Sequence, residues 1–457
     1  MKTKNNIYFV GAGGIGMAAL ERYFLAKGCK VAGYDRTATP LTDALVSEGA
    51  DIAFDDSPAA IPTAFRNPAE TLVVYTPAIP ESHPGLRWFR DNGFEVVKRA
   101  ALLGKVTQQS AGLCFAGTHG KTTTSSMAAH VLHTMSCGCN AFLGGVLRNY
   151  GTNFLLSPDS PYSVIEADEY DRSFHHLRPH VAVITATDPD HLDIYGTEEA
   201  YLESFRHFTE LIDPDGFLVV HTGLKLKPNP AEGVKVYTYS RDEGDFHAAD
   251  IRRTEGHIVF DLVLPDGDTV RDIAPGVPVE INIENAIAAL AALWCAGERD
   301  YDAWRSAMAS FRGPKRRFEF HYRADGRAVI DDYAHHPDEL RQSILSVRAL
   351  YPGRRLTVAF QPHLYTRTRD FAPQFAEALS LADEVVLLDI YPARELPIEG
   401  VSSRIIFDRL TSAAKRLIHR GELPAVIAEI RPEILLTAGA GDIVDLLPEV
   451  VDAVRNN

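Results

Sequence analysis

The run Ala116-Gly117-Thr118-His119-Gly120-Lys121-Thr122-Thr123-Thr124 combines two glycines, a lysine and a series of hydroxyls in the arrangement that cradles a nucleoside triphosphate. Gly117 and Gly120 let the backbone curl so that successive N–H groups, those of Thr118 and His119 among them, face a phosphate. Lys121 reaches the β/γ oxygens, and the hydroxyl of Thr122 is placed to ligate Mg²⁺, with Thr123 beside it. The same composition also suits a surface turn carrying an exposed lysine. The flanks decide for binding. The apolar run 112–116 reads as a short buried strand, and 125–132 has helical spacing, so a helix N-terminus adds its dipole to the loop. The spacing is two residues tighter than the common phosphate loop.

Further chemistry is expected at the ends of two later strands. Residues 163–166 run into Glu166-Ala167-Asp168-Glu169, and 181–185 run into Asp188-Pro189-Asp190-His191. Any single acid there reads as a solvated loop residue. Glu166 and His191 follow hydrophobic strands close to the phosphate loop, and with Thr122 they form the candidate Mg²⁺ set: few, hard ligands completed by water. Near the N-terminus, Gly11-Ala12-Gly13-Gly14-Ile15-Gly16-Met17 follows the strand 7–10, and Asp35 ends the next strand. This matches the dinucleotide fingerprint, which alone indicates only an anion on a helix end. An oxidoreductase carrying a nicotinamide cofactor is the competing reading it supports. Two more loops concentrate polar groups at strand ends, 331–337 with Asp332, Tyr333 and His335, and 361–369 with His363 and Arg367. Ligands in open α/β sheets gather at such ends.

The elements that must position these residues repeat strand and helix, which predicts α/β architecture in three parts. Residues 1–106 read as a Rossmann-like domain, 107–312 as a central domain carrying the phosphate loop, and 313–457 as a second Rossmann-like domain. The glycine-punctuated stretch 217–279 reads as an antiparallel patch on the central domain. Asn282 reads as a helix N-cap, and Asn285 lies inside the first turn. The segment 311–318, with Arg316 and Arg317, reads as a linker whose cations suit phosphates. At 457 residues, three domains fit the length. A net charge of −15 argues against nucleic acid and anionic membranes as partners, so anionic ligands must be held locally. Five cysteines, scattered except for Cys137 and Cys139, suggest a reducing compartment without a disulfide framework. No apolar run nears the ~20 residues of a membrane span, and no signal-peptide pattern precedes the first strand. A cytoplasmic protein is expected.

Taken together and in order, the motifs resemble those of the Mur ligases, the ATP-dependent amide-bond-forming enzymes of peptidoglycan synthesis. The resemblance runs through Gly11–Met17, Gly117–Thr124, Glu166–Glu169, Asp190-His191, Asn282–Asn285, Arg316–Phe318, Asp331–Pro337 and Phe360–Asp370. It implies that the first domain holds the UDP part of UDP-N-acetylmuramate through Gly11, Gly13, Gly14, Gly16, Met17 and Asp35. It implies ATP and Mg²⁺ as cofactors, with Asn285, Arg317 and Asp332 as further ATP contacts and Lys121, His191, His335 and Arg367 as the catalytic set. Tyr333, His335 and Arg367 would face the substrates as the third domain closes over the site. L-alanine is the expected amine, and a recycling ligase that takes a tripeptide is the alternative. The short run from Glu169 to the strand at Val181 favours the smaller amine. A monomer or homodimer is expected. Two departures stand out: Leu364 occupies a position where relatives often carry arginine, and no lysine lies between Asp188 and Asp213 to be carbamylated.

Overall fold

A computed structural model describes residues 4–108, 110–190, 192–254, 257–324, 326–393 and 395–456. The chain divides into two compact units, one comprising Met1–Ile251, Phe260–Pro275 and Ile283–Arg312, the other Arg252–Val259, Gly276–Asn282 and Gly313–Asn457.

In the first unit, β1 (Asn6–Val10), β2 (Lys30–Tyr34), β3 (Asp51–Ala53), β4 (Thr71–Tyr75) and β5 (Glu95–Lys98) form a sheet in the order β3-β2-β1-β4-β5, with every pair parallel. β1 is buried at all five positions, as expected of a strand covered on both faces. The second sheet contains β6 (Ala111–Ala116), β7 (Asn140–Leu147), β8 (Thr152–Leu155), β9 (Tyr162–Glu166), β10 (Val181–Ile184), β11 (Phe217–His221) and β12 (Lys235–Tyr239). Its order is β12-β11-β10-β6-β9-β7-β8, parallel but for the β7–β8 pair. One apolar cluster runs through both sheets, from Phe9 and Val74 to Cys114 and Ile184. The helix Ile15–Ala26 joins them: Tyr23 meets the rings of Phe142 and Phe154, and Asn153 donates from Nδ2 to the Ile15 carbonyl at 2.7 Å.

The stretch expected to form an antiparallel patch divides. β11 and β12 extend the parallel sheet, and only β13 (His247–Thr254), β14 (His257–Val263) and β15 (Thr269–Ile273) form a separate three-stranded sheet. Alternation reports one half-buried face and says nothing of strand direction. Asn282 is not a cap either. The helix begins one residue earlier, at Ile281, and buried Asn282 donates from Nδ2 to the Val277 carbonyl at 3.0 Å.

The second unit holds β16 (Glu319–Ala324), β17 (Arg327–Asp332), β18 (Leu356–Phe360), β19 (Glu384–Leu387), β20 (Ala414–Leu417) and β21 (Ile434–Ala438), in the order β16-β17-β21-β18-β19-β20. All pairs but β16–β17 are parallel. Alternate residues feed separate cores: Ile330, Val358 and Leu436 lie in one cluster, Val329, Ala359 and Leu435 in another. That double coverage explains the unbroken apolar runs in these strands. The five cysteines are free, and no helix among the described residues is long and apolar enough to cross a membrane.

Candidate active site

The phosphate loop leaves the C-terminal end of β6, a central strand. Gly117 (φ 139°) and Gly120 (φ 83°) occupy left-handed backbone that side-chain-bearing residues rarely adopt. A Cβ at Gly117 would stand 2.2 Å from Thr185 Oγ1. Gly120 caps the helix Lys121–Thr134. Thr118 anchors the loop, its amide donating to the Ala186 carbonyl and its hydroxyl to the Asp188 carbonyl at 2.6 Å; the His119 carbonyl accepts from Thr185. Asn285 is buried beside this loop, its Oδ1 accepting from Thr124 Oγ1 at 3.1 Å across 161 residues of sequence. Thr123 lies half-buried on the first turn of the helix.

Lys121 lies back across its own loop. Its Nζ donates to the Gly117 carbonyl and pairs with Glu169 at 2.8 Å (Oε2) and 3.0 Å (Oε1). Burial pushes the lysine pKa down, but the carboxylates of Glu169 and Glu166 outweigh it and leave the pKa raised, so the ammonium stays charged; burial also holds the Glu169 carboxyl above its ordinary value, against the pull of Lys121. Thr122 Oγ1 donates to Glu166 Oε1 at 2.9 Å, and the other oxygen of Glu166 accepts from the Gly144 amide at 2.9 Å. A Cβ on Gly144 would stand 2.5 Å from both carboxylate oxygens, so only glycine admits Glu166 here. Two of the expected Mg²⁺ ligands are therefore in contact. His191 lies outside the described residues, and among the described residues no group of three His, Cys, Asp or Glu is gathered that could hold a metal ion. A hydroxyl and a single carboxylate, with nucleotide oxygens and water completing the shell, nonetheless suit Mg²⁺, which keeps several waters and needs few protein ligands.

The first glycine loop leaves β1, a central strand of its own sheet. Gly11 has φ 94°, and the amides of Gly11 and Ala12 both donate to the Tyr34 carbonyl. Asp35, expected to face the ligand, accepts from the Gly13 amide at 2.7 Å and from the Thr37 amide at 3.2 Å. A Cβ at Gly13 would stand 2.9 Å from Asp35 Oδ2 and 3.0 Å from Thr42 Cγ2, so packing within the fold demands glycine there. Gly14 is the N-cap of the helix Ile15–Ala26, and Met17 is buried. Beyond it opens a cavity of about 290 Å³, lined by Ile15, Gly16 and Met17 from the first turn of that helix and by Gly144, Glu166 and Asp168 from the second sheet and its strand end. The two motifs, far apart in sequence, face one space.

Arg99 also lines that cavity, and no sequence motif marks it. It follows β5 as the first residue of the helix Arg99–Thr107, and its guanidinium lies 3.5 Å from Asp168 Oδ2. A Cβ on Gly16 would stand 2.8 Å from its Nη1. A cation at a helix N-terminus opposes the dipole, and the rule that ligands collect at strand C-ends is the one signal that points to it.

In the second unit, the loops after β17 and β18 bring several expected residues together. Asp332 is buried, and burial raises its pKa to about 6 against the hydrogen bond from Ser343 and the charge of Arg317. The guanidinium of Arg317 stands 5.5 Å from the ring centre of Tyr333. His335 Nδ1 lies 3.0 Å from the Tyr333 carbonyl, so it carries the proton and leaves Nε2 as the acceptor nitrogen. Burial lowers the His335 pKa, with Glu339 opposing and Arg367 reinforcing, so its ring is neutral. His363 is held down to about 4 by burial, His335 and Arg367, and it stacks on Tyr391. Arg367 sits half-buried in the first turn of the helix Tyr365–Leu379. Leu364, the departure noted above, caps that helix with φ 71°.

Three family models cover this layout: "Mur ligase family, catalytic domain" matches residues 6–111, "Mur ligase middle domain" 115–293 and "Mur ligase, glutamate ligase domain" 316–448. The chain belongs to the Mur ligase family. Within the family it is 57% identical over 451 residues to the UDP-N-acetylmuramate–L-alanine ligase of Phocaeicola vulgatus, covering 98% of both chains. It is 59% identical over 449 residues to that of Parabacteroides distasonis, covering 98% of this chain and 96% of the relative. Among solved structures it resembles the UDP-N-acetylmuramate-alanine ligase of Thermotoga maritima, with a TM-score of 0.81, 27% identity and 99% coverage of each chain. A murein peptide ligase from Psychrobacter arcticus shares the fold at a TM-score of 0.66, 21% identity and 99% coverage of each chain.

Proposed function

We propose that this enzyme uses ATP to join L-alanine to the lactyl carboxylate of UDP-N-acetylmuramate, a step in making peptidoglycan precursors. The observation that carries this reading is the cavity bordered both by the helix start that follows the first glycine loop and by Glu166. A sugar nucleotide lying there has its diphosphate near the first glycine loop and its carboxylate toward Glu166. The relatives from Phocaeicola and Parabacteroides carry the name of this activity along nearly their whole length. We assign residues 1–106 to the UDP-sugar, 107–312 to ATP, and 313–457 to further nucleotide and amine contacts through Arg317, Asp332, Tyr333, His335 and Arg367. The protein is assigned to the cytoplasm, as a monomer or homodimer.

A carboxylate is a poor electrophile because oxide is a poor leaving group. Transfer of the γ-phosphoryl of ATP to the lactyl carboxylate makes an acyl phosphate, whose leaving group is phosphate. The amine of L-alanine then attacks, and the tetrahedral adduct collapses to amide and phosphate. Lys121 supplies a fixed positive charge where two anions must meet, and the loop amides orient the phosphates. Mg²⁺, held by Thr122, Glu166 and His191, would neutralise charge on the phosphates when bound. Neutral His335, with Nε2 free of its proton, is suited to accept one from the alanine ammonium.

The test is phosphate release with ATP and UDP-N-acetylmuramate against a panel of amines. L-alanine is expected to be fastest, with glycine and L-serine slower and the tripeptide inactive. A pocket for a methyl group rejects one added methylene by only ~1–3 kcal/mol. A faster rate with the tripeptide would replace this assignment by that of a recycling ligase.

A further inference from the structure

We propose that Glu169 is a resident counter-ion for the phosphate-loop lysine, one that keeps Lys121 paired while nucleotide is absent and thereby loosens the hold on nucleotide, ADP as product included. The inference rests on the nucleotide reading of residues 117–123. The Glu169 side chain is 2% exposed and that of Lys121 14%, so their contacts at 2.8 and 3.0 Å form a buried ion pair. Nζ also donates to the Gly117 carbonyl and, at 3.4 Å, to the Thr118 carbonyl, so the lysine is folded onto the loop whose amides are to face phosphate.

Glu169 is not on a free arm. Its carbonyl accepts from Tyr195 Oη at 2.5 Å. The turn after it passes through Asp171 and Arg172 in left-handed backbone, φ 51° and 54°, and the Arg172 guanidinium lies 4.7 Å from the Tyr195 ring centre. Strain at non-glycine residues persists where surrounding contacts enforce it. The carboxylate is held at the lysine by the fold.

Phosphoryl transfer needs positive charge at this point, and Glu169 contributes a negative one. A buried ammonium without a partner is strongly unfavourable, which accounts for a carboxylate beside the lysine. Once a phosphate arrives, two anions share one ammonium, and their repulsion weakens binding. A residue that only supported the loop would act with the opposite sign, since its removal would loosen nucleotide.

The experiment is Glu169→Gln, which keeps the shape and removes the charge, with ADP affinity measured by calorimetry and ADP release by stopped-flow chase. ADP is expected to bind about tenfold more tightly and to leave correspondingly more slowly, the scale of one screened like-charge contact. The variant should melt lower than wild type without nucleotide and gain more on adding ADP. Unchanged or weaker affinity in a folded variant overturns the proposal. Glu169→Asp draws the charge back from Nζ and should fall between the two. It carries the test alone if the glutamine variant does not fold, and affinity below wild type then overturns the idea. Absence of ADP binding in wild type as well would overturn the nucleotide reading itself, and this proposal with it.

Discussion

The two glycine loops of the first unit make a controlled comparison. Each leaves a central strand of a largely parallel sheet, β1 or β6, turns through a left-handed glycine, Gly11 or Gly117, and opens into a helix. They differ in the side chain that closes the turn. In the first, the Asp35 carboxylate takes the Gly13 amide. In the second, the Lys121 ammonium reaches back to the Gly117 carbonyl. The backbone device is shared, and the closing residue sets the charge each loop offers. The first is left with local amides and the nearby Arg99, which suits the diphosphate proposed for it. The second brings its own cation and a hydroxyl–carboxylate pair, which suits the triphosphate and Mg²⁺ proposed for it.

The largest effect that would break this comparison is expected at Lys121. Lys121→Ala should lower kcat/KM by at least ~10²-fold, the scale for losing one transition-state charge contact. The substitution also leaves Glu169 buried without a partner, at a cost of about 3–5 kcal/mol in stability. Lys121→Ala combined with Glu169→Gln should recover much of that stability and none of the activity, which a thermal melt beside a steady-state assay would show. Turnover near wild type would mean that the lysine does not distinguish the loops.

A smaller effect sharpens the contrast from the other side. Arg99→Ala should raise KM for the sugar nucleotide by roughly tenfold, the scale of one hydrogen bond to a charged group. KM for ATP should hardly change. A matching rise in both would show that the two loops do not bind separate ligands.

The smallest effect sets both loops against the second unit, whose polar ends carry titrating groups. His363 is held at about 4 against an ordinary 6.5, so the unfolded chain binds more protons between these values. Its contribution to stability is lost as pH falls from 6.5 toward 4. Asp332, at about 6 against 3.8, has the opposite sign: its contribution is present at low pH and is lost as pH rises through 6. His363→Asn should therefore flatten the fall in melting temperature on acidification, and Asp332→Asn should steepen it, each by about 2 °C. Parallel curves for wild type and both variants would remove these groups from the pH response.

Much of the site is legible in the amino-acid sequence, and for a local reason. A left-handed turn requires glycine, a helix start requires particular neighbours, and a lysine or hydroxyl one step later lands on the first turn. The loop from Gly117 to Thr122 is therefore written in consecutive residues, as are the strand ends carrying Glu166, Asp332 and His335. Tertiary structure decided what those residues touch. Asn285 reaches Thr124 across 161 residues, and Gly144 admits Glu166 by lacking a side chain. Asp35 turned inward to Gly13, Glu169 came to hold the lysine, and Arg99 entered the cavity from a strand end with no motif of its own. The parallel pairing of β11 and β12 is hidden from the sequence because alternation marks a strand without naming its neighbour. Backbone conformation is set by a few adjacent residues, whereas contacts depend on how separate elements pack, and short-range pattern carries no record of that.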